Sequence, residues 1–259
     1  MGSVLVAYSG GVDSTFLACI AREVLGEKAL SVYGHSQVCP PDDLANATSL
    51  AAKLGLRFRI IDTNELDDPA FVANTSQRCY FCKTELLQKL KKIAQNEGLS
   101  WVADGTNNDD LGGYRPGRIA CQEQQARCPL LEAELTKSEI RQLSKQMGFP
   151  TWDRPASPCL ASRIPYGTPI SLDVIQKIAA GERILRDLGI RQLRLRHHDS
   201  IARIEVDEKD MARLLASEAR HKTVEAIKAL GYLYVTLDLA GYRTGSLNAG
   251  ILDQTKQEV

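Results

Sequence analysis

Val4-Leu5-Val6-Ala7-Tyr8-Ser9-Gly10-Gly11-Val12-Asp13-Ser14-Thr15-Phe16-Leu17 decides the fold of this chain. The apolar run over residues 4–7 breaks at the two glycines and resumes at helical spacing through Phe16, Leu17, Ile20 and Val24, until Gly26 stops it. That is a strand, a glycine turn and a helix. Such a turn gathers backbone N–H groups and the positive end of the helix dipole, so it favours an anion. Gly10 and Gly11 let the chain approach a phosphate closely, and Ser9 and Ser14 add hydroxyl donors. The lysine that a Walker A loop sets on the terminal phosphates is absent, and the spacing is not GxGxxG. The loop therefore suits pyrophosphate as a leaving group better than transfer of a terminal phosphoryl group.

The rhythm set there continues. Residues 29–33 read as a second strand, 42–54 as a helix after Pro40-Pro41, and 57–61 as a third strand. A helix over 79–97 carries Leu86, Leu87, Leu90, Ile93 and Ala94 on one face, and 101–103 is a fourth strand. The helix over 136–147 opens with a capping box between Thr136 and Glu139. Strands alternating with helices predict an α/β fold with a parallel sheet covered on both faces. Ligands in such sheets bind beyond the carboxyl ends of the strands, which singles out loops 9–14, 34–38, 63–83 and 104–114.

After residue 150 the pattern changes. A proline-rich connector over 151–170 leads to a helix over 172–188, two short strands over 192–197 and 201–206 joined by a tight turn, two further helices and a last strand over 233–237. This predicts a first domain over 1–150 and a smaller α+β domain over 171–259.

Apolar residues make up 44% of the chain and charged residues 25%, enough to form a packed core. With 32 basic and 32 acidic residues, no global field favours a nucleic-acid partner. The lack of a membrane-length apolar run or secretory leader pattern gives the expectation of a cytoplasmic protein away from membranes. Seven cysteines then speak for thiol or metal chemistry rather than a disulfide framework. Cys79 and Cys82 stand three residues apart at a helix N-terminus between Arg78 and Lys83, a setting that favours thiolates. The pair reads as a redox dithiol, half of a zinc site or half of an iron-sulfur site; Cys121 and Cys128 are conceivable further zinc ligands. Cys159 lies among Pro155, Pro158 and Pro165, which predict a loop. In the second domain Arg194 and Arg196 share one strand face, as do Arg203 and Glu205 on the next. They read either as a clamp for phosphate and carboxylate or as cross-strand ion pairs on a solvated face.

Ser9-Gly10-Gly11-Val12-Asp13-Ser14 resembles the signature of the PP-loop ATP pyrophosphatases, which implies a Rossmann-like adenine-nucleotide alpha-hydrolase domain that cleaves ATP between the α and β phosphates. Together with Arg78-Cys79-Tyr80-Phe81-Cys82-Lys83-Thr84-Glu85, Asp104-Gly105-Thr106-Asn107, Cys159-Leu160-Ala161-Ser162-Arg163-Ile164-Pro165-Tyr166-Gly167 and Arg194-Leu195-Arg196-His197-His198, the chain resembles the LarE family along almost its whole length. That resemblance implies an ATP-dependent sulfur transferase converting the carboxylates of pyridinium-3,5-biscarboxylic acid mononucleotide to thiocarboxylates for the nickel-pincer nucleotide cofactor. Ser9, Gly10, Gly11, Asp13, Ser14, Ser36, Arg78, Gly105 and Thr106 would hold ATP with magnesium, and Cys159, Arg163, Arg194, Arg196 and Glu205 would serve the substrate. Sulfur in the family comes either from the cysteine matching Cys159, left as dehydroalanine, or from a 4Fe-4S cluster on three cysteines; Cys79 and Cys82 beside Cys159 favour the cluster. The resemblance also implies a homo-oligomer, a sulfur donor and a downstream cofactor-maturation protein. A tRNA thiolase of the same superfamily and a nucleotide-binding iron-sulfur sensor are the competing readings.

Overall fold

A computed structural model of the chain describes residues 1–243 and 245–248; the end of the segment expected over 171–259 lies outside the described residues. By internal contacts the chain divides into Met1–Ser157 and Pro158–Val259, a division that falls inside the proline-rich stretch over 151–170.

In the first unit the elements run β1 (Val4–Ala7), α1 (Val12–Leu25), β2 (Ala29–His35), α2 (Asp43–Lys53), β3 (Phe58–Asp62), α3 (Pro69–Val72), α4 (Arg78–Asn96), β4 (Trp101–Ala103), α5 (Gly117–Glu123), α6 (Pro129–Glu132) and α7 (Lys137–Gln146). The four strands form a sheet in the order β3-β2-β1-β4. All pairings are parallel, with Val4 opposite Ala29 and Trp101, and Ser31 opposite Phe58. β1 is central and buried along its length, which is why it reads as an unbroken apolar run rather than an alternation. Its side chains divide between two cores. Val4 and Val6 pack with Phe16 and Leu17 of α1, Ala47 and Ala51 of α2 and Ile140 of α7. Leu5 and Ala7 point the other way, to Leu87, Leu90 and Ala94 of α4. The sheet is thus covered on both faces, and its strand ends deliver loops 9–14 and 104–107 to one edge.

The capping box forms as expected: Thr136 Oγ1 accepts from Glu139 N at 3.3 Å, and Glu139 Oε2 accepts from Thr136 N at 2.8 Å. The one-turn and two-turn helices α3, α5 and α6 lack enough length to show a period in sequence.

The second unit contains α8 (Leu172–Asp187), β5 (Leu193–His198), β6 (Ile201–Val206), α9 (Glu208–Leu215), α10 (Ser217–Ala229) and β7 (Tyr234–Leu237). Its sheet order is β5-β6-β7, the first pair antiparallel and the second parallel. Asp199 turns the β5–β6 hairpin with φ 49°. α8 lies so close to β5 that a Cβ on Gly181 would come within 2.3 Å of Leu195 Cδ1. Around Cys159 the prolines do not leave a bare loop: a 3-10 helix forms over Leu160–Arg163, short enough to fit between Pro158 and Pro165. Among the described residues no helix is long and apolar enough to cross a membrane.

Candidate active site

The handover from β1 to α1 is built around Gly10. Its φ of +71° belongs to the left-handed region, and a Cβ there would meet Ala47 Cβ at 3.2 Å, so both conformation and space call for glycine. Two serines close the loop: Ser9 N donates to Ser14 Oγ at 3.1 Å, and the two hydroxyls meet at 3.0 Å. Gly11, the N-cap of α1, supplies no side-chain cap to the backbone donors of the first helical turn, an arrangement that favours an anion there. Arg154 Nη1 donates to Gly10 O at 3.0 Å and steadies the loop from outside.

Asp13 stands at the first turn of α1. Its Oδ2 accepts from Lys137 Nζ, while Oδ1 is closed to solvent and without a hydrogen-bond partner. A second loop lies against the first, because a Cβ on Gly105 would come within 3.1 Å of Ser14 N. That loop starts at Asp104, buried at 6% exposure, whose carboxylate accepts from Lys83 Nζ and from Thr106 N and Oγ1 at 3.1 and 2.5 Å. Burial pushes the Asp104 pKa up, but Lys83 and Thr106 outweigh it and hold the carboxyl below its usual range. The structure therefore brings Ser9, Gly10, Gly11, Asp13, Ser14, Gly105 and Thr106 together, with Lys83, Lys137 and Arg154 around them.

Ser36 and Arg78 are placed differently. Ser36, 5% exposed, donates to Glu65 Oε2 at 2.5 Å and accepts from Val38 N at 3.2 Å. Glu65 is buried too, and its other oxygen accepts from Thr63 Oγ1 at 3.0 Å and from Cys82 Sγ at 3.5 Å. This acid links loop 34–38 to the start of α4, and no local sequence signal marked it. Arg78, 3% exposed, donates from Nη1 to Asn74 Oδ1 at 2.6 Å. Cys79 is exposed and Cys82 half-buried on the first turns of α4. The Cys121 and Cys128 sulfurs lie within 4.8 Å of each other, and their interaction together with burial pushes the Cys121 thiol up, while the same interaction lowers Cys128.

In the second unit Cys159 is half-buried and caps the 3-10 helix, its carbonyl accepting from Ser162 Oγ at 2.8 Å. Arg163 is 1% exposed. It pairs with Glu182 through Nε at 2.7 Å and Nη2 at 3.1 Å, and its Nη1 donates to the carbonyls of Pro158 at 2.7 Å and Cys159 at 3.0 Å. It holds the cysteine's backbone instead of presenting a loop cation. Arg196 and Glu205 form a two-point pair at 3.0 and 2.8 Å across β5 and β6, and Arg196 Nη1 also donates to Ser162 O at 2.7 Å. With exposures of 7% for Arg194, 6% for Arg196 and 1% for Glu205, this is not a solvated face; only Arg203 reaches outward. Arg194 stacks its guanidinium 5.0 Å above the Tyr242 ring, a contact that sequence reading missed. Burial, reinforced by the positive charge of Arg163, lowers the Arg194 pKa.

A family model described as NAD synthase matches residues 1–94, the stretch holding the Gly10–Gly11 loop and the two α4 cysteines. An uncharacterised protein of Synechocystis sp. is 42% identical over 94% of this chain and 91% of its own length. The pyridinium-3,5-bisthiocarboxylic acid mononucleotide synthase of Lactiplantibacillus plantarum is 37% identical over 95% of this chain and 88% of its own. The chain belongs to the LarE family of ATP-dependent sulfur transferases. More distantly, the NH(3)-dependent NAD(+) synthetase of Finegoldia magna is 28% identical over 55% of this chain. The match to the Lactiplantibacillus enzyme extends over both units rather than the Gly10–Gly11 loop alone.

Proposed function

We propose that this chain uses ATP to adenylate the carboxylates of pyridinium-3,5-biscarboxylic acid mononucleotide and then exchanges the adenylate for sulfur, giving the thiocarboxylates of the nickel-pincer nucleotide cofactor. What carries the reading is full-length similarity to a synthase named for that product, on a chain whose phosphate loop lacks the Walker lysine.

A substrate carboxylate oxygen attacks the α-phosphorus, and the α–β bond breaks to release pyrophosphate. The loop over 9–14 receives the departing charge through α1 backbone donors and the Ser9 and Ser14 hydroxyls. Asp13 Oδ1, buried and unpartnered, is a hard oxygen donor that fits magnesium, which would offset charge on the phosphates. Lys137 holds the other Asp13 oxygen and fixes its direction. The acyl-adenylate carries AMP as a good leaving group, so sulfur attacks the carbonyl carbon and AMP departs. Arg194 and Arg196 are the groups for the substrate's phosphate and carboxylate, with Glu205 orienting Arg196. Arg163 is a positioning residue for Cys159.

For the sulfur source, the LarE resemblance supports a 4Fe-4S cluster, which the thiolates of Cys79, Cys82 and Cys159 would hold with one iron left open. Such a cluster, when bound, supplies a sulfide for transfer. The same reading sets the work in the cytoplasm, between a sulfur donor and a downstream cofactor-maturation protein.

The experiment is a single-turnover reaction of anaerobically reconstituted protein with ATP and the pyridinium dicarboxylate, followed by intact mass. The expected result is thiocarboxylate formation, an unchanged polypeptide mass, and cluster absorption that disappears in Cys79→Ala. Loss of one sulfur and two hydrogens at Cys159 would instead make the cysteine itself the donor. Absence of any thiocarboxylate would refute the proposed reaction.

A further inference from the structure

Asp104, at the start of the loop over 104–107, Cys121 and Cys128 place a carboxylate oxygen and two sulfurs within 4.8 Å of one another. Cys121 is 3% exposed and Asp104 6%, while Cys128 is half-buried and gives the group a route to solvent. Backbone bonds tie the three positions together. Asp104 N donates to Arg127 O at 2.8 Å, Arg127 N to Val102 O at 2.9 Å, and Ala126 N to Cys121 O at 2.9 Å. Cys128 N is held by Glu132 Oε1 at 3.1 Å. The donors therefore sit on a fixed frame, which keeps the ordering cost of binding low.

The chemistry of the set selects its ligand. Two thiolates and one carboxylate suit a borderline-soft dication that accepts tetrahedral coordination, and are a poor match for magnesium or calcium. A carboxylate has about four lone-pair positions. Asp104 uses three of them on Lys83 Nζ, Thr106 N and Thr106 Oγ1, so one remains. Charge balance agrees: Lys83 already cancels Asp104, and a dication bound by two thiolates adds no net charge to a buried place. The Lys83 and Thr106 bonds to the carboxylate are the outer contacts that orient a metal ligand.

We propose that Asp104, Cys121 and Cys128 form a zinc site, with the fourth position open to water. None of the three belongs to the thiol set assigned above to sulfur delivery, so this site stands or falls separately. Its consequence lies in the next residue. Gly105 rests on Ser14 of the phosphate loop, and metal bound at Asp104 fixes that loop in place.

The test is an anaerobic titration of the reduced Cys79→Ser/Cys82→Ser protein with cobalt(II), then zinc(II), read by thiolate-to-cobalt absorption and by Tm. One equivalent of cobalt should give the thiolate band, zinc should remove it, and zinc should raise Tm. In that background Cys128→Ser, at a half-buried position, should lose both signals, and Cys121→Ser should do the same if it folds. Thr106→Val, which removes a hydrogen bond to the carboxylate, should weaken metal affinity about 10- to 100-fold. A thiolate band that survives Cys128→Ser, or no band in the Cys79→Ser/Cys82→Ser protein, overturns the proposal. A Cys121–Cys128 disulfide that resists reduction overturns it as well.

Discussion

Arg163 and Glu182 meet in a two-point ion pair with side-chain exposures of 1% and 0%. Glu182 also accepts from Arg186 Nη2 at 2.9 Å and from Leu195 N at 3.3 Å, so one buried acid ties the Cys159 segment, α8 and β5. Removing it strands a buried guanidinium. Glu182→Ala is expected to cost about 3–5 kcal/mol, the range for breaking a buried pair from one side. Urea unfolding of the two proteins measures it, and a change below about 1 kcal/mol would mean that water takes over the acid's role.

Gly10→Ala separates conformation from space. The added methyl forces an L side chain to φ +71° and into Ala47, whereas at Gly113, with φ +81°, nothing lies within 4 Å. Both variants bear the backbone strain, about 1–3 kcal/mol, but Gly10→Ala should additionally lose ATP binding by calorimetry. Equal ATP affinity in the two variants would contradict the role given to the loop.

Much of the first unit was legible because its signals are local. The β1 run, the glycine turn and the Thr136–Glu139 box each lie within a few residues of chain, where periodicity and capping chemistry act. Contacts set by tertiary topology were not legible. Glu65 reaches Ser36 and Cys82 from 29 and 17 residues away, and Lys137 reaches Asp13 from 124. Nothing in an isolated acid or lysine announces such partners. Arg163 illustrates the same limit: its type and its place beside Cys159 suggested chemistry, and the burial that turns it into an anchor comes from α8.

Asp13→Asn preserves shape and removes the charge that Lys137 and magnesium would share. Pyrophosphate release should fall by on the order of 100-fold or more, while the fold, followed by circular dichroism, stays intact. Lys137→Met should slow the same step less, because the carboxylate and its Oδ1 remain.

The β5 histidines predict a pH dependence. Burial lowers the pKa of His197, which also bonds Tyr232 at 3.1 Å, and burial with Arg203 lowers that of His198. Below about pH 6.5 the unfolded chain takes up protons that the folded one refuses, so stability falls as pH drops through that point and the folded pKa values below it. Urea midpoints at several pH values between about 5 and 8 should show this slope, shallower in His197→Gln/His198→Gln. An identical slope in the variant would assign the effect to other groups.

The glycine loop over 9–14 directs cleavage to the inner phosphorus of ATP. Quantifying the nucleotide products of one anaerobic turnover with the pyridinium dicarboxylate should give AMP and pyrophosphate in equal amounts. ADP with orthophosphate would place the cleavage at the terminal phosphate and refute that role for the loop.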